Sequence, residues 1–182
     1  MNKQEAISLM KEKVTEENLQ KHCLAVGAIM RGLANELGED SEVWEICGLL
    51  HDLDFEETKD NPKQHSLKTT EMLAEKLDEP SLHAIRAHNF EHTGVLPEGK
   101  MDNALISADA VSGLGIATAL LRPTHLEGMT PKSLKKSFKK KDFARKCSRE
   151  NIMYCEKLGL ESGKFFEITI ESLKTIAGEL GL

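Results

Sequence analysis

Several histidine and aspartate residues lie beside apolar helical stretches, where a metal ion would account for them. His22 and His51 each lie about one turn from apolar residues of a predicted helix, so both border its buried face. Asp109 lies near the middle of an almost wholly apolar or small stretch, residues 104–121. A carboxylate there loses its hydration, and an unpaired buried charge is too costly to keep. Its partner is either a metal ion with imidazole co-ligands or a buried Arg or Lys.

The adjacent pair His51-Asp52 is the second feature that could do chemistry. Neighbouring side chains on a helix point about 100° apart, so both can contact one ion only if it lies beside a helix end. A polar loop, residues 54–65, follows the pair and fits a helix end there. The ordered series of His22, His51-Asp52 and Asp109 is therefore far more specific than any one of its members.

The elements that must position these residues are all predicted to be helices. Apolar residues at intervals of three and four predict a helix from Glu16 to Leu37, which Gly38 ends. No segment shows the period-two alternation or the turn signal of a hairpin. Further helices are predicted over residues 3–13, 40–50, 66–77, 81–92, 101–121, 131–139, 141–157 and 162–180. The sequence thus predicts an all-α fold in one compact domain.

Composition and charge exclude several classes of protein. The 182 residues are 40% hydrophobic and 30% charged, which is typical of a soluble globular chain with its own core. The net charge of −6 argues against a nucleic-acid partner. The first residues contain no apolar signal segment, and Asp109 makes residues 104–121 a poor membrane span. Four cysteines without a C-x-x-C pair complete the pattern of a cytoplasmic protein with no membrane partner.

The ordered series resembles the HD-domain superfamily of metal-dependent phosphohydrolases. Three local contexts carry the resemblance: LQKHCLAVGAIM around His22, CGLLHDLD around His51-Asp52, and LISADAVSG around Asp109. Over most of its length the chain is similar to small bacterial members of the HDIG type. The resemblance implies a single HD domain over 1–182, a helical bundle whose metal-binding core spans about 15–125, with C-terminal helices at about 130–182.

The resemblance also implies a set of metal ligands. Minimal members hold one ion, and four residues here match their ligands: His22, His51, Asp52 and Asp109. Members with two ions add two histidines, and His65 and His88 lie at the matching places, with Asp52 shared between the ions. The sequence leaves open whether the site binds one ion or two. Iron, manganese, cobalt, nickel or zinc would each suit histidine and carboxylate ligands.

The activity implied by the resemblance is hydrolysis of a small anionic phosphate ester, a nucleotide or dinucleotide, by metal-activated water. His51 and Asp52 are the expected catalytic residues, because they set the geometry of the metal. Arg86, Arg122 and His92 lie near the predicted site segments and are the candidates for substrate binding. Two alternatives are a di-iron oxygenase of the same fold and a non-enzymatic sensor of metal or nucleotide. A monomer and a homodimer are both open.

One basic segment is not explained by these ligands. Eight cations lie between residues 132 and 146: Lys132, Lys135, Lys136, Lys139, Lys140, Lys141, Arg145 and Lys146. One interpretation is a solvated helix face. The other is an electropositive rim that steers an anionic substrate toward the metal.

Overall fold

The computed structural model describes residues 1–182, and all its regular structure is helical. Its elements are α1 (Lys3–Lys13), α2 (Glu17–Leu37), α3 (Ser41–Leu50), α4 (Phe55–Thr58), α5 (Leu67–Leu73), α6 (Glu79–His88), α7 (Phe90–Thr93), α8 (Lys100–Leu120), α9 (Pro131–Lys139), α10 (Arg149–Ile152), a 3-10 helix (Met153–Leu158), α11 (Ser162–Thr175) and α12 (Ala177–Leu180). The all-α prediction is confirmed. The division into a core of about 15–125 and C-terminal helices stays a prediction.

Helices α2 and α3 pack so closely that their crossing has no room for a side chain at Gly27 or Gly48. A Cβ added to Gly48 would lie 2.9 Å from the Cα of Gly27, a separation that real Cβ atoms essentially never show. A Cβ added to Gly27 would lie 2.8 Å from the Cγ of Leu49. Both positions therefore need glycine. The crossing places the helix of His22 directly against the helix that ends just before His51.

Helix α8 lies at the centre of the fold, in contact with α2, α6, α11 and the 3-10 helix. It is the one helix long and apolar enough to cross a membrane, but 72% of its most apolar window is buried inside the protein. It thus has the place of a core helix in a soluble domain, as the sequence predicts. Helix α6 packs on both α3 and α8, and its last residue is His88.

The residue before α3 caps its first turn. The Asp40 side chain accepts hydrogen bonds from the backbone N–H groups of Glu42 (3.0 Å) and Val43 (3.1 Å), which caps the first turn. The helix ends at Leu50, so the His51-Asp52 pair lies beside a helix end. This is the position that two adjacent residues need to contact one ion.

Four predicted segments are wrong in detail. The loop 54–65 contains the short helix α4, and α5 ends at Leu73 rather than at residue 77. In place of the predicted helix over 141–157, the structure has a turn, then α10 and the 3-10 helix. The helix does not form through the turn because the guanidinium of Arg149 donates hydrogen bonds to the backbone carbonyl oxygens there. The last helix is interrupted at Ile176, where the backbone leaves the helical region.

Candidate metal centre

Three helices bring the first group of ligand atoms together. His22 comes from α2, His51-Asp52 from the end of α3, and Asp109 from the middle of α8. The Nε2 of His22 lies 3.1 Å from an Asp109 carboxylate oxygen and 3.3 Å from the Nε2 of His51. The Nε2 of His51 lies 3.4 Å from the Oδ1 of Asp52. Four side chains from three separate segments of the chain thus converge on one point.

A second group of ligand atoms meets at the Oδ1 of Asp52. The Nε2 atoms of His65 and His88 lie 3.3 Å and 3.4 Å from the Oδ1 of Asp52. The ligand atoms of His22, His51 and Asp52, and those of Asp52, His65 and His88, each form a group within 4.8 Å. The structure therefore brings together all six predicted ligands, with Asp52 in both groups.

Backbone carbonyls set the orientation of two of the histidines. The Nδ1 of His51 lies 2.8 Å from the carbonyl oxygen of Gly48, and that of His88 lies 2.6 Å from the carbonyl oxygen of Ile85. A carbonyl only accepts, so each Nδ1 must carry the hydrogen. The Nε2 of the neutral ring then presents a lone pair to the cluster, as a metal ligand must.

His22 is oriented by a hydroxyl on α8. The Ser112 hydroxyl donates its one hydrogen to the carbonyl oxygen of Asp109 at 2.8 Å, so it accepts at 3.1 Å from the Nδ1 of His22. The Nε2 of His22 is again left with its lone pair toward the cluster.

His65 is held by its ring and by its backbone. Its Nδ1 donates to the Oδ1 of the fully buried Asp54 at 2.8 Å, and the other oxygen of Asp54 accepts from the backbone N–H of Thr69 at 3.0 Å. The side-chain amide of Asn89 donates to the carbonyl oxygen of His65 at 3.0 Å. The next residue, Ser66, has a left-handed φ of 77°, a costly backbone for a residue other than glycine. The surrounding contacts thus enforce the position of this ligand.

The charges of the cluster also fit a metal. Burial alone would lower the pKa of His51, but the carboxylates of Asp52 and Asp109 outweigh it and raise the pKa. Burial also opposes protonation of His65, yet Asp52 and Asp54 raise its pKa to about 10. The histidines in turn hold the pKa values of Asp52 and Asp109 well below the usual range, against the effect of burial. A buried site that retains its carboxylates as anions needs cations, which are protons or metal ions.

A cavity of about 430 Å³ opens over the cluster. Five of the six candidate ligands line it, while His51 lies fully buried behind them. The remaining lining residues are Leu19, Phe55, Asn89, Phe90, Glu91, His92, Lys146 and Asn151. The volume is within the range of pockets that take small molecules.

Only one of the three predicted substrate-binding residues lies at this cavity. His92 lines it, but the structure places Arg86 and Arg122 elsewhere. Arg86 lies two residues before His88, on another face of α6, and pairs with Glu79. Arg122 follows the end of α8, where it donates to the backbone carbonyl oxygens of the next turn at 3.0 Å and 2.9 Å. Proximity in sequence to a site segment was thus the wrong criterion, because side-chain direction on a helix decides contact.

Two cavity residues lie in a part of the chain where no single site residue was predicted. Lys146 and Asn151 line the cavity from the turn after α9 and from α10. In the sequence, Lys146 is one of eight cations in the basic segment, and nothing there distinguishes it from the other seven. The Asp54–His65 and Ser112–His22 pairs had no signal at all, because they depend on the fold.

The fold and the site define a class first: an all-helical protein with a buried histidine and aspartate cluster suited to a divalent metal. The family model of the HD domain matches residues 19–119, more than half of the chain. The chain therefore belongs to the HD-domain family of metal-dependent phosphohydrolases. The finer HDIG type stays a prediction. Searches of curated proteins and of solved structures find no match.

Proposed function

We propose that this protein is a metal-dependent phosphohydrolase that acts on a small phosphate ester, a nucleotide or a dinucleotide. The observation that carries the proposal is the pair of ligand groups that share Asp52 at the floor of an open cavity. Two divalent ions bound there would supply an activated water nucleophile and neutralise the charge of the phosphoryl group.

Asp52 has the geometry of a bridging ligand. Its Oδ2 lies 3.6 Å from the Nε2 of His22, and its Oδ1 lies 3.3 Å from the Nε2 of His65. The Oδ1 also lies 3.4 Å from the Nε2 of His51, so the carboxylate lies between the two ligand groups and is close to members of both. Asp52 is only 6% exposed, so its rotation is restricted. A bridge of this kind supports two ions rather than one.

The cavity lining favours direct attack by water over a covalent intermediate. It contains no serine, threonine or cysteine side chain that could act as a nucleophile. His92 lines the cavity with its Nδ1 2.9 Å from the Asn89 amide oxygen, and it remains the candidate for contact with the substrate.

Aromatic rings in the same cavity favour a nucleotide over inorganic phosphate. Phe55 lines the cavity with its ring centroid 5.5 Å from that of His65, and Phe90 lines it as well. Either ring offers a flat apolar face on which a nucleobase can stack. The small volume fits a mononucleotide or part of a dinucleotide better than a polymer, which agrees with the negative net charge.

The test is a screen of the metal-loaded protein against mononucleotides, dinucleotides and simple phosphate esters, with phosphate or nucleotide release as the readout. Asp52→Ala is the inactive variant, and Asp60→Ala, an exposed carboxylate in the following loop, is the matched control. Release by the wild type and by Asp60→Ala, but not by Asp52→Ala, supports the proposal.

The same samples distinguish the two alternatives. If the iron-loaded protein consumes oxygen and releases no phosphate, the protein is a di-iron oxygenase and not a hydrolase. Metal and nucleotide binding without any turnover would replace it by the sensor.

A further inference from the structure

The turn between α9 and α10 is organised around one side chain, the guanidinium of Arg149. It donates hydrogen bonds of 2.6 to 3.1 Å to five backbone carbonyl oxygens of this segment. These are the carbonyls of Phe138, Lys140, Phe143, Ala144 and Cys147. Residues 138–147 are thus folded around a single fixed cation instead of continuing the helix.

The backbone of the turn has a conformation that the local sequence does not favour. Ala144 has a φ of 46°, in the left-handed region that is unfavourable for a residue with a Cβ. Its carbonyl accepts from the Nη1 of Arg149 at 3.0 Å. The hydrogen bonds of Arg149 therefore stabilise this turn and set where the backbone of Lys146, two residues later, lies.

Lys146 is the one lysine or arginine that lines the metal cavity. It also lines a second cavity of about 240 Å³, which shares His22 and Asp109 with the first. It makes no ion pair, whereas the neighbouring Arg145 pairs with Asp142 at 3.5 Å. Because the Lys146 ammonium group has no ion-pair partner within the protein, it is available to an anionic ligand in this cavity.

We propose that Lys146 binds an anionic phosphate oxygen of the ligand in the metal cavity, and that Arg149 is the positioning residue that holds Lys146 there. The inference deepens the proposed function and rests on it. Ammonium groups bind phosphate as compact point charges. Loss of one hydrogen bond between charged groups weakens binding about 10- to 100-fold.

The experiment uses inorganic phosphate as the probe and the manganese-loaded protein, with affinity measured by calorimetry and metal content measured on the same samples. Lys146→Ala should weaken phosphate binding about 10- to 100-fold with unchanged metal content. The matched control is Lys139→Ala, which removes the same charge from the exposed end of α9 outside the cavity and should change affinity less than about twofold. Equal affinity for phosphate in Lys146→Ala and the wild type, or no phosphate binding by the wild type, would overturn the proposal.

Arg149 is tested through its dependence on Lys146. Arg149→Gln should weaken phosphate binding, and the double variant with Lys146→Ala should bind no more weakly than Lys146→Ala alone. A purely structural role would instead add a further loss in the double variant and would overturn the positioning role. If Arg149→Gln does not fold, Lys146→Ala still decides the binding role. Phosphate binding that depends on Lys146 without turnover of any ester would refute the proposed function but not this inference.

Discussion

Replacing Asp54 by asparagine should weaken one of the two ion sites and leave the other intact. Asp54 is fully buried and accepts from two donors, the Nδ1 of His65 at 2.8 Å and the backbone N–H of Thr69 at 3.0 Å. An amide has one accepting oxygen, so in either orientation its NH₂ group faces a donor. The variant therefore loses one of these two buried hydrogen bonds and weakens the support of the His65 ring.

The magnitude follows from the role of Asp54 as the outer partner of a ligand. Removing such a partner lowers metal affinity about 10- to 100-fold. The group of Asp52, His65 and His88 should lose this amount, whereas the group containing His22 should keep its affinity. One unsatisfied buried group should also lower the free energy of unfolding by about 1–3 kcal/mol.

The assay is a calorimetric titration of metal-free protein with Mn²⁺, which resolves a tight and a weak ion. Glu57→Gln makes the same carboxylate-to-amide change on the exposed surface of α4 and serves as the control. Two ions bound by Asp54→Asn with wild-type affinities would refute the argument that Asp54 positions His65.

Three further predictions concern pH, packing and the cavity. In the metal-free protein the raised pKa of His65 stabilises the fold fully below about pH 6.5, and this stability should be lost as pH rises through about 10. Urea unfolding of the wild type and of His65→Gln, measured in chelator, should show the difference shrinking over that range; a constant difference would contradict it. Gly48→Ala should destabilise the fold by about 1–3 kcal/mol because its Cβ meets Gly27, and thermal unfolding should show no such loss for Gly163→Ala, which has open space. Arg122→Ala should change the turnover rate less than about twofold. A tenfold loss of turnover would instead indicate that Arg122 contacts the substrate.

Most of the helices and the series of His22, His51-Asp52 and Asp109 could be predicted from sequence because they follow local rules, whereas His65 and His88 became candidates only through the resemblance to the HD-domain family. Intervals of three and four place His22 and His51 at the edge of an apolar face, and a buried carboxylate such as Asp109 needs a cationic partner wherever it lies. The order of these residues, rather than any single motif, carried the prediction of a metal site. The structure brings the predicted ligands together.

What could not be predicted depends on contacts between distant or irregular segments. Residues 140–148 have a composition typical of a helix, but they form a turn. Their backbone carbonyl oxygens accept hydrogen bonds from Arg149, which follows the turn, instead of from helical N–H groups. The position of Lys146 depends on that turn. The pairing of Asp54 with His65 depends on the path of a loop, and periodicity contains no information about loop paths.

The central claim is that Asp52 is shared by two ions, and metal stoichiometry tests it most directly. Elemental analysis of anaerobically purified protein should find about two divalent ions per chain. Variants His65→Ala and His88→Ala should each fall to about one, and both should keep the ion held by His22, His51 and Asp109. One ion per chain in the wild type, unchanged in both variants, would contradict the account and leave His65 and His88 without a role as ligands.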